Sequence, residues 1–189
     1  MSLPISDDAF ERFAQAIRTR ESGDQPGPQD DAESYGEPNS AGYLGAYQFG
    51  LARICDLTSP LPWTERVPGS RGWANRAFRW RTAETGWDAA RFLADHGAQD
   101  RLFRLHVADY LRRMKREGLD HFVGEQVSAL LNGEIDPSAD SVVTRSGMLA
   151  AAHLRGWGGL RALLYDAVDL HDGNGTHVSD YMRTFAGYF

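Results

Sequence analysis

Apolar residues in this chain recur at intervals of three and four over most of its length and almost nowhere at intervals of two, which commits the backbone to helices. Phe10, Phe13, Ala14 and Ile17 follow Ser6-Asp7-Asp8, an N-cap with an acidic first turn, so a helix is expected over about 7–19 with Glu21 just past its end. Helical spacing returns over about 47–56, 73–81, 87–95, 98–117, 120–131, 141–153, 157–167 and 177–186. Gly118, Asn132-Gly133 and Asp172-Gly-Asn-Gly-Thr supply stops, and Thr176 is the expected N-cap of the last helix. The expectation is a mainly α fold with at most a small β element near residues 30–50.

The stretch 23–46 is rich in Gly, Pro, Asp, Ser and Asn, a composition of turns, and reads as a long loop with a short hairpin, anchored by Tyr35, Tyr43 and Tyr47. No internal repeat and no linker divides the chain, so residues 1–189 are expected to form one domain, large enough to bury roughly 70% of the unfolded surface. Cys55 sits in an apolar run, cannot pair within the chain and reads as a small core residue.

Charge and motif content narrow the function classes. A net charge of −6 opposes general nucleic-acid binding. Arg101 to Arg116 reads instead as a long helix burying Leu102, Leu105, Ala108, Leu111 and Met114, with its arginines solvated. No apolar run approaches the roughly 18 residues of a membrane span, so no membrane insertion is expected. Met1 to Asp8 has neither the basic nor the apolar region of a Sec-type leader. Phosphate-loop, His-Glu-x-x-His and Gly-x-Ser-x-Gly patterns are missing. In Asp172-Gly-Asn174-Gly-Thr176 the glycine has the wrong offset for a calcium loop, and Arg183 stands at its twelfth position. No metal or cofactor is expected.

The segment Arg20-Glu21-Ser22-Gly23, followed by Asn39-Ser-Ala-Gly-Tyr-Leu-Gly-Ala-Tyr-Gln-Phe-Gly50, is where the sequence becomes specific. A carboxyl at a helix end facing a glycine-rich aromatic loop suits general acid work, because rings favour the protonated form and glycines admit a bulky ligand to the backbone. Each residue also has a plainer reading. Glu21 could be a solvated helix end, and Tyr47 and Phe49 could pack inward while Gln48 points elsewhere. His153 and Tyr181 could simply be packed helix residues. Of Trp63, Trp73, Trp80, Trp87 and Trp157, most read as core; Trp157, beside Gly156 and Gly158-Gly159, is the one placed to reach a cleft.

Glu21-Ser22, Gly45-Ala-Tyr-Gln48, Ala150-Ala-Ala-His153-Leu-Arg-Gly156 and Tyr181, in that order, resemble the lytic transglycosylase and goose-type lysozyme branch of the lysozyme-like superfamily. The longer stretches Gly42–Gly50 and Ala151–Gly159 are similar to a subgroup of phage lysins and secreted cell-wall effectors. One departure is visible: His153 stands where the family places asparagine, with one extra residue before Gly156.

The resemblance implies a lysozyme-like helical domain that cuts the β-1,4 bond between N-acetylmuramic acid and N-acetylglucosamine in peptidoglycan, with Glu21 as the catalytic acid. Ser22, Tyr43, Tyr47, Gln48, Phe49, His153, Trp157 and Tyr181 would bind the strand. A transglycosylase needs no second carboxylate, whereas a hydrolase would draw one from Asp24, Asp30, Asp31, Glu33 or Glu37. Two other readings stay open: a glycan-binding, phage-tail or secretion-apparatus module without turnover, and a chitinase. A wall enzyme without a leader implies delivery by phage lysis, a signal-less secretion route, or excision from a longer protein, and leaves room for a delivery or immunity protein as partner.

Overall fold

Ten short or medium elements follow one another in the computed structural model, which describes residues 3–22, 35–36, 38–39, 41–132 and 140–189. They are α1 (Asp7–Ser22), α2 (Leu51–Leu57), β1 (Thr64–Arg66), β2 (Phe78–Trp80), α3 (Thr82–Thr85), α4 (Ala89–Ala94), α5 (His96–Glu117), α6 (Val127–Leu130), α7 (Arg145–Asp166) and α8 (Val178–Thr184). Single 3-10 turns occupy Asn75–Ala77 and Leu119–Phe122. The architecture is mainly helical, as the periodicity predicts. Two compact units emerge, one of residues 1–13 with 107–189 and one of residues 14–106.

Several boundaries differ from the sequence reading. Ser6 caps α1 as expected, its hydroxyl accepting the Ala9 N–H at 3.2 Å, but no helix breaker precedes Gly23. The helix therefore continues through Glu21 and Ser22, and Glu21 belongs to its last turn. Residues 73–81 are not helical: Asn75–Ala77 is one 3-10 turn, and β2 pairs antiparallel with β1 in the register Thr64↔Trp80, Glu65↔Arg79, Arg66↔Phe78. Among the described residues the regular sheet thus lies outside 30–50, where the isolated bridges Pro38↔Leu44 and Leu44↔Phe49 stand instead. The expected helix over 120–131 is a 3-10 turn followed by the single turn α6.

In the unit of residues 14–106, Phe49, Ile54, Phe92, Leu102 and Phe103 form the interior, and Thr64 is fully buried with its hydroxyl donated to the Leu51 carbonyl at 2.6 Å. Leu105 departs from the expected core position. It is 41% exposed and, with Leu57, Trp63 and Leu102, lines a surface cavity of about 240 Å³. Cys55 is only half-buried, and burial pushes its thiol up, away from the reactive thiolate.

In the other unit, α7 is N-capped by Thr144, whose hydroxyl accepts the Gly147 N–H at 3.1 Å. Ala150, Ala151 and Ala152 are fully buried. α8 lies so close to α7 that a Cβ at Gly147 would meet the Met182 carbonyl at 2.4 Å. Phe13 sits edge-on to Phe185, Tyr188 and Phe189. α8 is capped by His177 rather than Thr176, because Asp180 accepts the His177 N–H at 3.3 Å while Thr176 is spent in the preceding loop. There Asp172 accepts the Asn174 and Thr176 N–H groups at 2.8 and 2.9 Å, so its carboxylate closes a turn. Among the described residues, no helix is long and apolar enough to cross a membrane, and no three metal-ligating side chains cluster.

Candidate functional site

The most elaborately built surface in the unit of residues 14–106 is the loop from Asn39 to Gly50. Asn39 opens it: its side-chain oxygen accepts the Ala41 and Tyr43 N–H groups at 2.9 and 3.0 Å, a local turn that fixes where Tyr43 stands. Leu44 and Phe49 then exchange both backbone hydrogen bonds, at 3.0 and 2.9 Å, and Gly45-Ala-Tyr-Gln48 forms the turn between them, closed by Gln48 N–H to Gly45 carbonyl at 2.9 Å. Gly45 has φ +70°, a conformation that costs L side chains energy.

Four side chains outside the motifs hold this loop, and none carries a local sequence signal. Gln99, fully buried on α5, accepts the Ala46 N–H at 2.9 Å and donates to the Phe92 and Tyr35 carbonyls at 3.0 and 3.1 Å. Asn75 accepts the Leu51 N–H at 2.8 Å and donates to the Ala41 carbonyl at 3.3 Å. Arg18 donates to the Tyr47 hydroxyl at 2.7 Å. That hydroxyl donates in turn to Asp100 Oδ1 at 2.8 Å, the oxygen that also receives the Tyr35 hydroxyl at 2.7 Å. Burial holds the Tyr47 phenol far above its ordinary pKa, and burial followed by the Asp100 hydrogen bond does the same for Tyr35.

The sequence-predicted site residues separate by what they do. Tyr47, 1% exposed, stacks on Phe103 with ring centroids 4.1 Å apart, and Phe49 is buried against His106; both rings face the interior. Tyr43 is 43% exposed beside Gly50, where a Cβ would lie 3.1 Å from its ring. Gln48 is half-buried at φ +48°, donates to the Gly45 carbonyl at 2.9 Å, and leaves its Oε1 buried without a partner. Glu21 is half-buried in the last turn of α1, one turn beyond Arg18. The loop carboxylates Asp24, Asp30, Asp31, Glu33 and Glu37 lie outside the described residues, and Ser22 is placed by its backbone in α1.

His153, Trp157 and Tyr181 belong to the other unit. His153 is half-buried on α7, ahead of Gly156, whose φ of +70° and ψ of 177° interrupt the helix. Trp157 is a correction to the cleft reading. It is 7% exposed, its indole N–H is donated to Glu117 at 3.0 Å, and Arg113 lies 4.5 Å above its ring. Burial pushes the Glu117 carboxyl up, but hydrogen bonds from Arg113, Trp157 and Arg161 outweigh it and hold the group below the ordinary glutamate value. Tyr181 is buried with its ring 5.3 Å from Phe185. The tryptophans expected in the core behave oppositely, since Trp73 is 70% exposed and Trp63, Trp80 and Trp87 are half-buried.

No family pattern, curated protein or solved structure matches the chain.

Proposed function

We propose that this chain is a lysozyme-like enzyme that cleaves peptidoglycan glycan strands between N-acetylmuramic acid and N-acetylglucosamine, with Glu21 as general acid. The observation that carries the reading is the Arg18–Tyr47 hydrogen bond of 2.7 Å. It ties the last turns of α1, where Glu21 sits, to the Gly45–Gln48 turn, so the helix that carries one resembling element is anchored on another. Glu21 and Arg18 share a helix face at a spacing of three.

In the reaction, Glu21 gives its proton to the glycosidic oxygen as the bond to the anomeric carbon breaks, and N-acetylglucosamine leaves as its alcohol. The carboxylate then takes a proton either from water, giving a reducing end, or from the muramoyl 6-hydroxyl, giving a 1,6-anhydro end. Tyr43 offers an exposed ring to a sugar face, and Gln48, whose Oε1 is buried without a partner in the free chain, accepts from a sugar hydroxyl or acetamido N–H once its carboxamide turns outward.

The test is digestion of purified peptidoglycan by the wild-type chain and by Glu21→Gln, with soluble products identified by mass spectrometry. The substitution keeps the shape and removes the acid, so turnover falls by roughly 100-fold or more. Anhydro products define a transglycosylase and reducing products a hydrolase. Equal turnover by the variant removes Glu21 from the mechanism, and no turnover by either leaves a glycan-binding module. Cleavage of chitin oligomers in preference to peptidoglycan makes the chain a chitinase.

A further inference from the structure

The arm from Arg66 to Arg81 is a positive segment of an acidic chain. It carries Arg66, Arg71, Arg76, Arg79 and Arg81 and no acidic residue, against a net charge of −6 overall. Glu65 engages two of these, Arg79 at 2.7 Å and Arg81 at 3.6 Å. Arg71 and Arg76 are exposed and have no acid partner among the described residues. Arg66 is held in place: it donates to the Gly72 carbonyl at 2.7 Å and lies 5.3 Å from the Trp73 ring and 4.7 Å from the Phe78 ring. Trp73, 70% exposed, is nearly parallel to Phe78. A guanidinium ordered beside an exposed indole, with Arg71 and Arg76 two and three residues from Trp73 in sequence, suits an acidic ligand with an apolar or sugar face.

The arm is not isolated from the proposed glycan surface. Asn75, between Trp73 and Arg76, bonds both the Leu51 N–H and the Ala41 carbonyl, and its side-chain oxygen would lie 3.1 Å from a Cβ at Gly50, where the Tyr43 ring also packs. The arm and Tyr43 thus meet at the same glycine within one unit. We infer that this arm extends the glycan surface beyond Tyr43 and binds the carboxylates of peptide-substituted peptidoglycan through Arg71, Arg76 and Arg66 beside Trp73. The inference rests on the glycan reading of the Tyr43 loop and adds to it a preference for acidic over neutral strands. Carboxylates borne on the strand at regular intervals match a few discrete guanidiniums. An extended polyanion would meet repulsion from the acidic remainder of the chain.

The experiment measures sedimentation of the Glu21→Gln protein, which leaves the material intact, with insoluble peptidoglycan stripped of phosphate polymers. The comparison material is the same peptidoglycan with its carboxyl groups converted to amides. Amidation should weaken binding about tenfold, as should the double substitution Arg71→Ala/Arg76→Ala on native material, and the double variant should be indifferent to amidation. The difference should shrink as salt rises. Equal binding to both materials overturns the inference, and so does binding that appears only when phosphate polymers are retained. If the double variant melts early, the amidation comparison on the parent protein decides alone. Turnover by the wild-type chain is scored separately. Carboxylate-dependent binding without turnover overturns the glycosidase reading and keeps the arm, and turnover with carboxylate-indifferent binding does the reverse.

Discussion

The Gln99 carboxamide occupies the space that a side chain at position 45 would need: a Cβ built on Gly45 lies 1.9 Å from Gln99 Oε1 and 2.5 Å from its carboxamide carbon. Since Gln99 also satisfies the Ala46 N–H and two carbonyls from inside the unit, the glutamine and the glycine form one device that fixes the turn carrying Gln48.

Gly45→Ala therefore meets two costs, a positive-φ residue with a side chain and the displacement of a buried, fully hydrogen-bonded amide. Together these amount to about 2–4 kcal/mol. Thermal unfolding should fall by roughly 5–12 °C. Gln99→Ala leaves the Ala46 N–H without its partner and should cost about 1–3 kcal/mol by itself. The informative measurement is the double variant: with Gln99 already shortened, the alanine at 45 should add only the backbone cost. Simple additivity would mean that the two residues do not share the site.

Tyr47 predicts an alkaline limit. Burial raises its phenol pKa in the folded chain, so the neutral form is favoured by folding. That contribution is complete below the unfolded tyrosine value of about 10 and is lost as pH rises toward the folded one. Tyr35, raised for the same first reason, acts in the same direction. Urea midpoints should fall steeply above about pH 10 in the wild type, together with the appearance of tyrosinate absorbance, and less steeply in Tyr47→Phe. At neutral pH that variant should be less stable by about 1–2 kcal/mol, because Arg18 and Asp100 both lose a partner. An unchanged alkaline limb in the variant would assign the loss to another group.

Glu117, with Asp120 and Asp140, contributes to the acid side of the other unit. Its folded pKa is depressed, so its contribution is present above the ordinary glutamate value of about 4.3 and disappears as pH falls through the lower folded value. Tryptophan fluorescence should report loss of the Trp157 environment in that window. Glu117→Gln should be less stable at neutral pH and flatter toward acid, since it keeps an acceptor for the indole but gives up the charge that holds Arg113 and Arg161. A variant with the acid profile of the wild type would show that other carboxylates govern it.

Much of the helical frame is legible in the sequence because α1, α5 and α8 carry their own periodicity and stops. The exception at 73–81 is instructive. Trp73, Ala77 and Trp80 fall at helical intervals, yet β1 and β2 are three residues each, too short for alternation to show, and Trp73 is exposed rather than packed. The candidate acid and the glycine-rich loop stand out as a pattern, whereas Gln99, Asn75 and Arg18 look like ordinary polar residues of helix and loop. Their importance comes from partners 53, 34 and 29 residues away in sequence, and no local rule reports such pairings. Trp157 fails for a related reason: flanking glycines suggested an open backbone, but Glu117, 40 residues upstream, claims its N–H.

Gln48 offers the sharpest separation of function from stability. Its backbone is at φ +48° without being glycine, a strain of about 1 kcal/mol, and its Oε1 is buried without a partner, a further cost. Against these stands one hydrogen bond from its Nε2 to the Gly45 carbonyl at 2.9 Å. Gln48→Gly relieves the strain, removes the orphaned acceptor and loses that bond, so stability should stay within about 1 kcal/mol of the wild type or rise. If Oε1 is an acceptor for the glycan, turnover of peptidoglycan should nevertheless fall by at least about tenfold, the expected consequence of losing one positioned hydrogen bond. Gln48→Asn, which tolerates the same backbone with a shorter reach, should be nearly as stable and nearly as impaired. A large loss of stability with turnover intact would identify Gln48 as a packing residue, because only a group kept for its ligand is expected to cost the free protein energy.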